Sequence, residues 1–171
     1  MSAIEQTSAQ QFEEKTSTVR KPYHYVGSGL GNVYLVGVTY RYWPDSQLQS
    51  ADIPCLPALL QALAKALVGK RSALNGDELR FLRKQLRVPS KDFAAYVGLS
   101  AEQYSRLENG ATVTPTVERL VRLLYVALAE LPSDAAREVA RTIWTAELDH
   151  SERIIASQDE NHNWIVKTKA A

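Results

Sequence analysis

Pro89-Ser90-Lys91-Asp92-Phe93-Ala94-Ala95-Tyr96-Val97-Gly98-Leu99-Ser100-Ala101-Glu102-Gln103-Tyr104-Ser105-Arg106-Leu107-Glu108-Asn109-Gly110 decides how this 171-residue chain is read. Phe93, Ala94 and Val97 share one face at helical spacing, and Tyr104 and Leu107 do so again after Gly98. The pattern predicts two short amphipathic helices joined by a tight turn, the layout of a helix-turn-helix whose second helix reads DNA. Gly98 suits a turn that requires positive φ, and Ser100 can cap the second helix by accepting a backbone N–H bond. Asn109-Gly110 stops it.

Working outward, Asp77 and Glu78 open a preceding helix whose buried face is Leu79, Leu82 and Leu86. Thr114-Pro115-Thr116 starts a helix through Val117, Leu120, Val121, Leu124 and Leu128, and Pro132-Ser133-Asp134 starts another with Val139 and Ile143 on its apolar side. Five short helices from 77 to about 148 form an expected all-α bundle. Upstream, 22–43 alternates aromatic and β-branched residues with Gly27, Gly29, Gly31 and Gly37, which predicts short antiparallel strands and hairpin turns. Leu59, Leu60, Leu63 and Leu67 mark a helix between the two regions.

The expected organisation is a flexible polar arm over 1–21, a small β-rich domain over 22–50, a linking helix over 51–72, the bundle over 73–148 and a C-terminal tail over 149–171. Within that tail Trp164-Ile165-Val166 reads as one short strand or a docking segment, and Trp144, Ile143 and Leu148 as a candidate dimer surface.

Charge is distributed unevenly. Residues 70–125 carry ten Lys/Arg against six Asp/Glu, whereas residues from 126 onward carry five against eight. A basic middle flanked by a neutral and an acidic end fits phosphate binding, though a solvated charged face has the same composition. Cys55 is the single cysteine, so an intramolecular disulfide and a cysteine-pair zinc site are both excluded. It reads as a small packing residue. His24, His150 and His162 are too dispersed to suggest a metal site, and no nucleophile–base spacing occurs, so neither catalysis nor a cofactor is expected. No apolar run reaches a membrane span, and the N-terminus lacks a basic start followed by an apolar core, so the expected location is the cytoplasm, in association with the nucleoid.

Candidate DNA contacts follow from side-chain chemistry. Arg106 can donate two parallel hydrogen bonds to O6 and N7 of guanine, or pair with Glu102 one turn earlier. Glu102 can accept from cytosine N4 or orient Arg106. Gln103 and Ala101 are edge readers by position, Ala101 through a thymine methyl. Ser90, Lys91, Ser100 and Asn109 are candidates for phosphates, which position a protein without specifying sequence. Glu108 fits a structural bond to Arg80 or Arg83, and Arg80, Arg83, Lys84 and Arg87 fit a solvated face as well as DNA.

Leu79-Arg80-x-Leu82-Arg83, Gly98-Leu99-Ser100 and Ser105-Arg106-Leu107-Glu108-Asn109-Gly110 together resemble the Xre, or Cro/CI-repressor, class of helix-turn-helix regulators. Tyr23-His24-Tyr25, Ser28-Gly29-Leu30, Asn32-Val33-x-Leu35 and Ile53-Pro54 are similar to the MqsA/YgiT-type antitoxins, in which a zinc-binding β-rich domain precedes an Xre-type domain. This chain lacks that family's cysteine pairs, with Trp43-Pro44-Asp45-Ser46 standing where one is expected, so its β-rich unit is zinc-ribbon-like without zinc. Pro89-Ser90 also replaces the class's usual Ser/Thr-Gln, leaving Ser90 or Lys91 to supply a phosphate contact.

The resemblance implies a mainly α fold with a small β-rich N-terminal unit and a five-helix Cro/CI-repressor-like bundle. It further implies a homodimeric, self-repressing regulator reading an inverted-repeat operator in double-stranded DNA. The alternative is an antitoxin that binds and neutralises a protein toxin.

Overall fold

The computed structural model describes residues 13–16, 22–43, 48–129 and 152–170. Strands β1 (Glu13–Thr16), β2 (Tyr23–His24), β3 (Val33–Val36), β4 (Thr39–Trp43) and β5 (Leu48–Asp52) precede five helices. These are α1 (Leu56–Gly69), α2 (Gly76–Gln85), α3 (Ser90–Tyr96), α4 (Ala101–Glu108) and α5 (Pro115–Leu128), and a hairpin of β6 (Glu152–Gln158) and β7 (Trp164–Ala170) follows.

The strands build two sheets. One has the order β1-β4-β5, antiparallel throughout, and the other has the order β2-β3-β6-β7. In the second, β3 pairs with β6 in parallel, with Val33 opposite Ile154 and Leu35 opposite Ala156. Because side chains alternate across a strand, that register puts Val33, Leu35, Ile154 and Ala156 on one buried face. Trp164 of β7 joins them, and its indole Nε1 donates to the Pro54 carbonyl at 3.2 Å. Gly29, at φ +79°, turns the loop between β2 and β3, where its N–H donates to Val26 O at 2.9 Å.

Against the sheet lies α1, whose Leu59, Leu63, Ala64, Leu67 and Val68 are buried. The same helix packs on α2 and α5 as well as on β6 and β7, so it joins sheet to bundle. Pro57 near its start and Pro54 just before it fit its N-terminus, where a missing N–H costs nothing. Its last carbonyls have an unusual partner. The Arg122 guanidinium of α5, 1% exposed, donates to the carbonyl oxygens of Val68 at 2.9 Å, Lys70 at 2.6 Å and Ser72 at 2.8 Å, and to the Glu118 carboxylate. Glu118 in turn accepts from the Leu74 N–H at 3.0 Å. A second buried pair, Lys70 Nζ to Glu78 at 2.7 and 2.8 Å, ties the end of α1 to α2. Glu78 completes a capping box with Asn75, so one carboxylate serves both the pair and the helix start.

Several expectations are corrected. Residues 13–16, placed in a flexible arm, form β1 on β4. The 149–171 tail contributes β6 and β7, and without them β3 would have only the two-residue β2 beside it. The 22–50 region is therefore no separate unit: its strands divide between two sheets, one completed by residues more than a hundred positions later. The linking helix is a core element. Cys55 does not pack; it is exposed, with φ +52°, at the N-cap of α1. The expected helix from Pro132, with Trp144, Ile143 and Leu148, lies outside the described residues. The described helices number five, but they are α1 and the four bundle helices from 76 to 128. Among the described residues none of the helices is long and apolar enough to cross a membrane, and no cluster of His, Cys, Asp and Glu suits a metal ion.

Replacing Arg122 by Met would leave the Glu118 carboxylate buried without its cation and the carbonyls at the end of α1 without the guanidinium donors. The expected loss is about 3–5 kcal/mol, read from chemical unfolding at neutral pH, because removing one partner strands the other in low dielectric.

Candidate nucleic-acid interface

The α3–α4 pair forms where the apolar spacing predicts. Phe93 and Ala94 of α3 are buried, as are Val97 and Tyr104, and the Phe93 and Tyr104 rings meet at 5.5 Å between centroids. Gly98, at φ +72°, ends α3: its N–H donates to Ala95 O at 3.1 Å and that of Leu99 to Ala94 O at 2.9 Å. A Cβ at Gly98 would meet nothing within 4 Å, so its requirement is conformational rather than spatial.

At the start of α4 the Ser100 hydroxyl accepts from the Gln103 N–H at 3.1 Å, and Gln103 Oε1 accepts from the Ser100 N–H at 2.9 Å. This capping box fixes both residues at one end of the helix. Ala101, Glu102, Gln103 and Arg106, the four candidate base readers, are all exposed on α4. Arg106 donates to Glu102 at 2.5 Å. Both side chains are more than 70% exposed, so solvent screens the pair and leaves it worth little. The guanidinium can exchange Glu102 for a guanine edge at small cost.

Of the candidate phosphate contacts, Lys91 is exposed in the first turn of α3 and Ser90 is half-buried at its first position. Ser100 is committed to its cap through the hydroxyl. Asn109 closes α4, with Nδ2 donating to Ser105 O at 2.8 Å and Oδ1 accepting from Arg80 Nη2 at 2.9 Å. The base-reading candidates thus share one helix face, while Asn109 is occupied at its opposite end.

Glu108 and the α2 arginines hold α4 in place. Arg83 makes a two-pronged contact with the 7%-exposed Glu108 side chain, Nε to Oε1 at 2.7 Å and Nη2 to Oε2 at 3.0 Å, and Nη1 donates to Val88 O at 3.1 Å. Hydrogen bonding to Glu108 raises the Arg83 pKa further above its ordinary value. Arg80 donates to the Glu108 carbonyl and pairs with Asp77 at 3.1 Å. The structural reading of Glu108 is thus the one observed, and Arg83 is withdrawn from the solvated face. Lys84 and Arg87 remain exposed.

Two determinants of the site escaped sequence reasoning. A Cβ on Gly76 would collide with the Leu107 carbonyl oxygen and lie 2.9 Å from that of Glu108, so α2 begins directly against the end of α4. Its sequence signal was only an Asn-Gly pair, which also suits a loop. The second is the placement of the Tyr104 hydroxyl beside Arg83 and Glu108, without a hydrogen-bond partner among the described residues. Burial, then the Glu108 carboxylate, pushes its pKa above the ordinary value of 10.0.

Gly76→Ala should destabilise the protein by about 1–3 kcal/mol in urea unfolding, since overpacking against fixed carbonyls outweighs the helix propensity Ala gains. Tyr104 binds its proton more tightly folded than unfolded, so its contribution is complete below pH 10 and declines as pH rises past the unfolded value. Stability measured from pH 8 to 11 should therefore fall less steeply in Tyr104→Phe than in the wild type.

No curated protein and no solved structure matches this chain. The model of the family described as Helix-turn-helix matches residues 79–124, from within α2 to within α5, and so includes the whole α3–α4 pair. Residues 79–124 are thus similar to a helix-turn-helix domain, and the match supports a DNA-binding transcriptional regulator.

Proposed function

We propose that the protein is a sequence-specific DNA-binding regulator that acts as a homodimeric repressor and reads an inverted-repeat operator, its own promoter included, through α4. The observation that carries this reading is the exposed face of α4. It presents Ala101, Glu102, Gln103 and Arg106 from a helix capped at its start and clamped at its end. A short rigid helix with such a face fits the major groove, and Arg106 has the fork geometry that recognises guanine O6 and N7. Gln103 keeps its amide nitrogen for a base edge while its oxygen serves the cap. Lys91 and Ser90, at the start of α3, supply phosphate contacts that fix register, joined by the backbone around Ser100, while Asn109 would have to release Ser105 to join them.

A two-fold dimer places two α4 helices on half-sites about one helical turn, roughly 10 bp, apart. Nothing among the described residues favours the antitoxin alternative over this reading.

The test is a footprint and gel-shift titration on the DNA upstream of the protein's own reading frame. Protection of an inverted repeat is expected, with affinity falling steeply as salt rises. Arg106→Ala should weaken specific binding by about 1–3 kcal/mol and relax sequence preference at one position of each half-site. Its thermal unfolding should match the wild type because its pair with Glu102 is exposed. Unchanged affinity and preference in this variant would overturn the role given to α4.

A further inference from the structure

The face of the β2-β3-β6-β7 sheet turned away from α1 has its own chemistry. Strand alternation and register place His24, Tyr34, Ile155 and Lys167 in one row across the four strands, with Arg153 directly opposite Lys169 in the next. Arg153, Lys167, Lys169 and His24 are exposed. Like charges directly opposite on an antiparallel pair destabilise it, and among the described residues of the four strands no carboxylate lies on this face to offset them. An anion between the cations removes that cost. The face is also aromatic: His24 stacks on Tyr34 at 4.9 Å, and the Arg153 guanidinium lies 5.7 Å from the centre of the Tyr34 ring.

We propose that this sheet face is a second nucleic-acid surface, one that takes a single strand. Lys167 and Lys169 are two strand residues apart, about 6.8 Å, a repeat close to that between successive phosphates of an extended strand. The cationic row tracks the backbone, and the exposed His24 ring, backed by Tyr34, offers a base a π face. The aromatic pair is what favours a nucleic acid over an acidic polypeptide, whose carboxylates need only the cations. The surface is independent of α4, because α1 packs on the opposite side of the sheet and joins it to the bundle.

The experiment uses the full chain with a fluorescent 15-nucleotide homothymidine strand, followed by polarisation across a salt series. The wild type should bind, and the Arg153→Ala/Lys167→Ala/Lys169→Ala variant should bind at least about tenfold more weakly. Its log–log salt slope should be smaller by about 2, from three phosphate contacts at roughly 0.7 each. The charge-conserving Arg153→Lys/Lys167→Arg/Lys169→Arg variant should retain binding, and so should Arg106→Ala, which separates this surface from the α4 reading. Absence of wild-type binding, equal binding by the triple alanine variant, or tighter binding of polyglutamate than of the homothymidine strand would each overturn the proposal.

Discussion

One guanidinium organises the junction between sheet and bundle. Arg122 supplies the donors that the C-terminus of α1 and the turn after it lack, so carbonyls that would otherwise be buried unpaired are satisfied. Arginine suits the position because its five donors fan out in a fixed plane, whereas a lysine would offer three from a single point. Its charge is balanced by Glu118 one turn earlier on α5, which also receives the Leu74 N–H. The arrangement commits α1, the loop at 70–75 and α5 to a single geometry, because moving any of them strands a buried polar group.

The rigidity continues toward α4. The loop that Arg122 and Glu118 hold delivers Asn75 and Gly76, where α2 begins with its backbone against the carbonyls at the end of α4. From α2, Arg83 and Arg80 reach the same end of α4 through Glu108 and Asn109. The exposed face of α4 is therefore oriented by contacts on its other sides, none of which the proposed base readers have to make. Gln103 is the exception, since its side-chain oxygen closes the helix cap. Such a division leaves Arg106 held only by a screened surface pair, available to a ligand, on a helix whose position is set by buried ones.

Much of the helix-turn-helix was legible in the sequence because its determinants are local. Phe93, Ala94 and Val97, then Tyr104 and Leu107, carry the 3.6-residue period, and Gly98 and Ser100 mark turn and cap within a few residues. The Glu108 role was legible too, since an acidic residue on a partly buried helix end needs a cation and α2 offered two. Gly76 was not: glycine reports that space is short only when the neighbouring backbone is known. Trp164-Ile165-Val166, read as a short strand or a docking segment, lies in β7, but the strands at 13–16 and 152–158 were missed for a related reason. Short polar segments such as Glu13-Glu14-Lys15-Thr16 have no apolar alternation of their own and become strands through the partner they pair with.

By itself, then, the sequence determined the capped helix α4, its turn and the apolar stripes of α1, α2 and α5, all set by interactions spanning four residues or fewer. Only the tertiary structure decided that β3 runs parallel to β6, which joins residues 23–36 and 152–170 in one sheet. It also decided that Arg122 is a buried anchor rather than one more base in the positive middle, and that Arg153, Lys167 and Lys169 share a face. Each of these depends on groups that lie about fifty or more positions apart, or on a register in which a slip of one residue would turn the side chains to the opposite face.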